Sequence, residues 1–261
     1  MLLKLIDQKI RRAFSNSADQ YELFASLQKE IGRELTRKIL YVEPGSRLLD
    51  IGMGTGWLCN RLQLLFPENR IVGLDFSDGM VQWAKHKYEG FQLVQADCAR
   101  LPFRPNSFGL IISNLSLQWV QDLQKALGMV HDCLKENGGF YATIFGKATL
   151  SELFASLEAT QETEDKHLSI KRLVDKPAIK KTLVRCGFRE VEINSEVIKL
   201  HFADLWDLLQ WLKKIGANAI AKDVFIGRDW LTRANEDYKK NFNDAWGVTA
   251  SFEVIWVKAS K

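Results

Sequence analysis

The sequence predicts an α/β fold, a mostly parallel sheet with helices on both faces. Between residues 47 and 145, short apolar runs alternate with stretches of helical period. The first run lies in LLDIGMGTG, residues 48–56, where an aspartate leads straight into glycines at alternate positions. The next two runs, RIVGLD and FQLVQA, end on Asp75 and just before Asp97. An open parallel sheet places such turns side by side along the carboxyl ends of its strands, where ligands bind.

Taken in order, residues 17–40 carry Tyr21, Phe24, Leu27, Ile31, Leu35 and Ile39 at spacings of three and four, which predicts one helix. Pro44-Gly45 breaks the pattern. Arg47 to Ile51 is a buried strand, and Thr55 to Phe66 is the helix after the glycine turn, ended by Pro67. Strand Arg70 to Asp75, helix Asp78 to Tyr88, and strands Phe91 to Ala96 and Phe108 to Ser113 follow. A helix from about Asp122 to Lys135, an Asn137-Gly138-Gly139 turn and a fifth strand, Phe140 to Phe145, complete the regular part. Beyond residue 146 the rhythm loosens. Leu150 to Ala159 reads as helix, and Pro177 opens another that runs to Cys186 with Gly187 as its stop. Glu190 to Leu200 and Val248 to Lys258 are the last strands, with helices Asp204 to Ile215 and Trp230 to Phe242 between them.

The composition, 46% hydrophobic and 26% charged, supports a sizeable core and excludes wholesale disorder. A net charge of +4 is too mild for a dedicated nucleic-acid binder. Cys59, Cys98, Cys133 and Cys186 form no CxxC pair and fit no zinc spacing, so no metal is expected. Met1 to Ile10 carries Lys4, Asp7 and Lys9 and no long apolar run, and no segment approaches a membrane span. A reduced, cytoplasmic setting with no membrane contact is the expectation.

Three glycines, Gly52, Gly54 and Gly56, allow unusual backbone angles and a close ligand approach. Trp57 stands where a dinucleotide fingerprint would have its third glycine, so the pattern is GxGxG and not GxGxxG. Asp75, 25 residues after Asp50, is placed to accept hydrogen bonds from both hydroxyls of a ribose. Asp97, followed by Cys98, is placed to accept from an exocyclic adenine amine, or else to form an Asx turn. Ser113 to Trp119, SNLSLQW, ends the fourth strand and presents its backbone to the same edge.

Together these four elements resemble the class I S-adenosylmethionine-dependent methyltransferases over about residues 44–146. The resemblance implies a seven-stranded sheet with an antiparallel last strand, and S-adenosyl-L-methionine as cofactor. It implies that Asp50 and the Gly52, Met53, Gly54, Gly56 turn hold the methionine part, Asp75 the ribose, and Asp97 with Cys98 the adenine. Phe76, Met80, Asn114 and Leu115 complete the expected cofactor set. Other members often carry a small residue where this chain has Met53, a position at which only the backbone is needed.

Four further segments extend the likeness nearly end to end: AFSNSADQYELFASLQKEIGREL at 13–35, ADCARLPFRPNSFGLIISNLSLQWVQDL at 96–123, LLQWLKKIGANA at 208–219 and TASFEVIWVKA at 249–259. They are similar to the malonyl-[acyl-carrier protein] O-methyltransferases of early biotin synthesis. The resemblance implies methylation of the free carboxylate of a malonyl thioester, on acyl-carrier protein or CoA. A carboxylate is already ionised at neutral pH, so no acid or base residue is required. Tyr21, Gln118, Trp119 and Arg172 are the candidate substrate contacts, with His167 read as a loop residue and Lys213 and Lys214 as helix-surface lysines. One domain is expected over 1–261: an N-terminal helical segment at 1–43, the cofactor core at 44–146, and substrate-side helices with the last two strands at 147–261. A monomer is expected. The competing readings are a methyltransferase for another small molecule or tRNA, and a non-catalytic assembly factor that binds the same cofactor.

Overall fold

The computed structural model describes residues 2–161, 169–170, 173–217, 221–222 and 227–261. Seven long strands make the sheet: β1 Arg47–Ile51, β2 Arg70–Asp75, β3 Gln92–Gln95, β4 Phe108–Asn114, β5 Leu134–Phe145, β6 Arg189–Phe202 and β7 Gly247–Ser260. Their spatial order is β3-β2-β1-β4-β5-β7-β6, and β7 runs antiparallel to both neighbours. The short strand Asn243–Asp244 adds to β7, and Ser169–Ile170 pairs separately with Ala221–Lys222. The order reverses between β1 and β4, the switch point at which a ligand crevice opens.

β1 and β2 are apolar runs because both of their faces are covered. Leu48 points into one core with Leu27, Ile31 and Leu35, while its neighbour Leu49 points into the other with Leu127, Val130 and Leu183. β6 is an edge strand, and its sequence alternates accordingly. The helices are α1 Leu2–Phe24, α2 Ser26–Arg37, α3 Trp57–Leu65, α4 Asp78–Lys87, α5 Leu123–Cys133, α6 Ser151–Ala159, α7 Lys176–Arg185, α8 Leu205–Lys214 and α9 Arg228–Asn241. Side-chain caps start several of them: Ser77 on α4, Asp122 on α5, Asp175 on α7 and Asp204 on α8.

Two elements differ from expectation. The single helix over 17–40 is two helices, broken at Ala25, and the first reaches back to Leu2. The break has a physical cause. The Trp211 indole donates to the Phe24 carbonyl at 3.0 Å, and the Lys29 ammonium donates to the Glu22 carbonyl at 2.8 Å. Both carbonyls are thereby drawn out of the helical ladder. The Asn137-Gly138-Gly139 turn does not precede β5 but interrupts it: Phe108 pairs with Leu134 and Leu110 with Gly139, so the extra residues bulge out.

Candidate active site

The glycine turn links the ends of three strands. Gly52, Gly54 and Gly56 have φ of +70°, +55° and +82°. The Gly52 and Met53 amides both donate to the Leu74 carbonyl, at 2.7 and 3.0 Å, tying the turn to β2. On the other side, the Ser116 hydroxyl donates to the Ile51 carbonyl at 2.9 Å, and a Cβ on Gly52 would lie 2.2 Å from that of Ser116.

Asp75 closes the turn. Its carboxylate accepts from the Gly54 amide at 2.9 Å and the Ser77 amide at 2.8 Å, one bond to each oxygen. Each oxygen keeps a free lone pair, the arrangement needed for two adjacent hydroxyls. Burial pushes its pKa up to about 6 against the opposing pull of the amides. Asp50 is 1% exposed and lies beneath the turn, outside the cavity wall. The Cys59 thiol donates to one of its oxygens at 3.3 Å, and the other oxygen has no partner among the described residues. Burial lifts its pKa to about 7, opposed by the thiol and helped by the charge of Asp75.

A cavity of about 320 Å³ opens above these groups. Its wall contains Gly52, Gly54, Asp75, Phe76, Met80, Asp97, Cys98, Asn114 and Leu115. The other expected cofactor residues, Asp50, Met53 and Gly56, stand behind it. The Met53 sulfur packs where a Cβ on Gly73 would come within 2.3 Å, and Gly56 lets α3 sit close to Ala84 of α4. Asp97 does two things: it lines the cavity, and it accepts from the Ala99 amide at 2.8 Å to cap the turn Cys98–Arg100. Burial and the Asp97 charge push the Cys98 thiol up to about 12, so it stays neutral. Asn114 is fully committed to the fold, donating to the Gln28 carbonyl and accepting from Thr143, so it offers backbone to the cavity. Leu115 has φ +51°, which turns the chain sharply away from β4.

α1 forms the roof. Ser15 bonds Asp78 and Ser77, and the bare backbone of Gly79 lets it pack against α4. At the far end Glu22 accepts from Lys29, Lys87 and Thr55, at 2.8, 3.0 and 2.9 Å. Burial alone would raise the Glu22 pKa; these hydrogen bonds outweigh it and hold it below the ordinary value. Tyr21 sits over Gly54 between the two anchors.

A second cavity, about 580 Å³, adjoins the first and shares Phe14, Tyr21, Leu115 and Trp119 with it. Phe14 and Trp119 meet edge-to-face at 5.3 Å. Behind this partition the wall is mainly apolar, from Phe145, Phe154, Leu212 and Phe252, with three charged residues: Glu158, and Lys147 paired with Asp175 at 3.9 Å. Tyr21, Gln118 and Trp119 all line this second cavity. Arg172 and His167 lie outside the described residues. The Lys214 ammonium stacks on the Phe24 ring. Sequence reasoning missed Phe14, Gln28, Gln121 and Lys147. Only Lys147, following β5 directly, had a local signal. Gln121, in the wall of the first cavity, has a buried amide nitrogen with no partner among the described residues.

A methyltransferase domain family matches residues 49–142, the segment from β1 through β5 that carries the turn, Asp75 and Asp97. A malonyl-[acyl-carrier protein] O-methyltransferase of Gallionella capsiferriformans is 32% identical over 271 aligned positions, covering 98% of this chain and 92% of that protein. The chain belongs to the malonyl-[acyl-carrier protein] O-methyltransferase family. Its fold agrees: the YcgJ protein of Bacillus subtilis superposes with a TM-score of 0.64 at 17% identity, covering 88% of this chain and 97% of that one. A Haemonchus contortus phosphoethanolamine N-methyltransferase, solved with S-adenosyl-L-methionine, superposes with a TM-score of 0.61 at 19% identity, covering 95% and 57%. Among the described residues no helix is long and apolar enough to cross a membrane, and no cluster of side chains could hold a metal ion.

Proposed function

We propose that this chain uses S-adenosyl-L-methionine to methylate the free carboxylate of malonyl-acyl-carrier protein, an early step of biotin synthesis. The observation that carries the reading is the pair of cavities meeting at Tyr21 and Trp119. The residues present fit the cofactor. Asp75 offers two oxygens to the ribose, Asp97 and the Gln121 amide face the adenine end, and the Gly52–Gly56 turn gives backbone room for the methionine part. The buried acids Asp50 and Asp75 favour a cationic guest. When bound, the sulfonium supplies an activated methyl group and its leaving group.

The protein's own work is alignment and exclusion of water. No base is needed, because the attacking oxygen is already anionic. Trp119, Phe14 and Leu115 make the partition dry. Burial, then the charges of Asp75, Glu22 and Asp50, raise the Tyr21 phenol far above its ordinary range, so it remains a donor. It is positioned to donate to the acceptor carboxylate at the partition. Tyr21→Phe is expected to lower kcat/KM by about 10-fold while leaving cofactor affinity unchanged, since one hydrogen bond to a charged group is lost. Equal weakening of cofactor binding by calorimetry would assign Tyr21 to the donor side instead. A monomeric, cytoplasmic enzyme without nucleic-acid or membrane contact is part of the proposal.

The test is transfer of labelled methyl to malonyl-acyl-carrier protein, with malonyl-CoA and unloaded carrier beside it. Base-labile label on the malonyl species is the expected result. Cofactor binding with no transfer to any of them would favour the binding-only reading.

A further inference from the structure

Two residues of the second cavity's wall each carry a buried side-chain oxygen for which the described residues supply no donor. Gln28 and Gln118 are each 7% exposed, and the side-chain oxygen of each is buried with no hydrogen-bond partner among the described residues. Both residues line this cavity. Gln118 is held in orientation, because its amide nitrogen donates to the Leu115 carbonyl at 2.7 Å, which leaves the oxygen as the unused end. Gln28 stands beside it in the fold: its own carbonyl accepts from Asn114, one residue before Leu115. A buried acceptor left unsatisfied is destabilising by about 1–3 kcal/mol, so two in one cavity wall point to a ligand that supplies two donors.

We propose that Gln28 and Gln118 accept hydrogen bonds from the two amide N–H groups of a pantetheine arm, the chain that carries the acyl thioester. The inference rests on the malonyl-thioester reading above. Three features favour an amide-bearing arm over other guests. The unused atoms are oxygens, so they select donors and repel a carboxylate. The malonyl carboxylate is thereby directed past them to the Tyr21 partition, where the first cavity begins. The remaining wall, with Phe145, Phe154 and Leu212, suits the methylene spacers that separate the amides. Carrier protein and CoA share this arm, so the chemistry is common to both sources.

The experiment compares methyl transfer to four malonyl thioesters: those of acyl-carrier protein, CoA, pantetheine, and an alkyl thiol of matched length without amides. Wild type is expected to favour the pantetheine thioester over the alkyl one by about 100-fold in kcat/KM, about 10-fold for each acceptor left unpaired. Gln28→Met and Gln118→Met are each expected to reduce that preference about 10-fold, by lowering kcat/KM for the three amide-bearing substrates alike and sparing the alkyl thioester. Cofactor affinity serves as the folding control for both variants. Equal loss on the alkyl thioester, or no loss at all, would reduce the glutamines to a structural role and overturn the proposal. Loss confined to the carrier-protein substrate would place the effect on protein–protein contact and overturn it too. Wild type that methylates all malonyl thioesters equally sinks this inference and leaves the proposed function standing. Wild type that methylates none sinks both.

Discussion

Asp75→Ala is expected to weaken S-adenosyl-L-methionine binding by about 10² to 10⁴-fold. Two charge-assisted hydrogen bonds to a ribose are lost, each contributing about 1.5–3 kcal/mol in a site of this kind. Stability responds to two opposed effects. Removing a buried carboxylate relieves its desolvation, while the Gly54 and Ser77 amides lose their acceptor. Asp75→Asn separates them, since its carbonyl oxygen preserves one amide bond and its charge is gone. Calorimetry and a thermal melt on both variants make the check. Cofactor affinity within a factor of three of wild type in Asp75→Ala would remove Asp75 from the ribose site.

The same residue sets a pH dependence of opposite sign for folding and for binding. The pKa of Asp75 is raised to about 6 and that of Asp50 to about 7, both above their unfolded values. Native protein therefore holds these protons more tightly than unfolded chain does. Their contribution to stability is fully present below about pH 4 and is lost as pH rises through 6 to 7. Cofactor binding uses the ionised forms, so affinity is expected to increase between pH 5 and pH 7.5. Glu22 and Asp78, whose pKa values are lowered, pull total stability the other way in acid. The clean observable is thus a difference: Asp50→Asn should melt closer to wild type at pH 5 than at pH 8, where wild type carries the buried charge. Parallel melting curves across that range would contradict the shift.

What could be read from the sequence and what could not follow from where the cause of each feature lies. The bounds of β1 and β2 match to the residue, because an apolar run covered on both faces is specified by its own composition. The helix start at Asp78 was visible to the residue, and that of α7, at Lys176, to within one residue of Pro177, because the signals that open a helix are local. The break at Ala25 was not, since the indole that causes it arrives from Trp211 on α8. The edge that lines the first cavity was legible as a string of strand ends. The second cavity was not, because its wall draws on residues from Phe14 to Phe252 that only the sheet topology assembles. Gln28 illustrates the difficulty. It lies three and seven residues before Ile31 and Leu35, on the buried face of its helix, where the sequence pattern alone does not separate a core glutamine from one in a cavity wall; its position against Asn114 does.

Gly52→Ala should be strongly destabilising, and Gly54→Ala provides its control. Both positions have φ in the left-handed region, at +70° and +55°, where a Cβ is disfavoured by about 1–2 kcal/mol. Their surroundings differ sharply. At Gly52 the new Cβ would meet Ser116 at 2.2 Å, and neither side has room to retreat. The Gly52 amide is tied to Leu74, and Ser116 is tied to Ile51 and Ser113. Relief requires the β1 turn to part from the chain after β4, adding about 1–3 kcal/mol of overpacking. The expected total, about 2–5 kcal/mol, corresponds to a fall in melting temperature of roughly 5–15 °C for a chain of this size. At Gly54 a Cβ would meet only Tyr21, at an ordinary 3.8 Å, so stability should fall by the backbone contribution alone. It would however project a methyl between the turn and Tyr21, into the wall of the cofactor cavity, and affinity should drop about 10-fold or more there. The pair thus dissociates two duties of one turn: Gly52 joins three strand ends, and Gly54 gives the ligand room. Equal melting temperatures for the two variants would show that the turn relaxes freely and that its glycines serve binding alone.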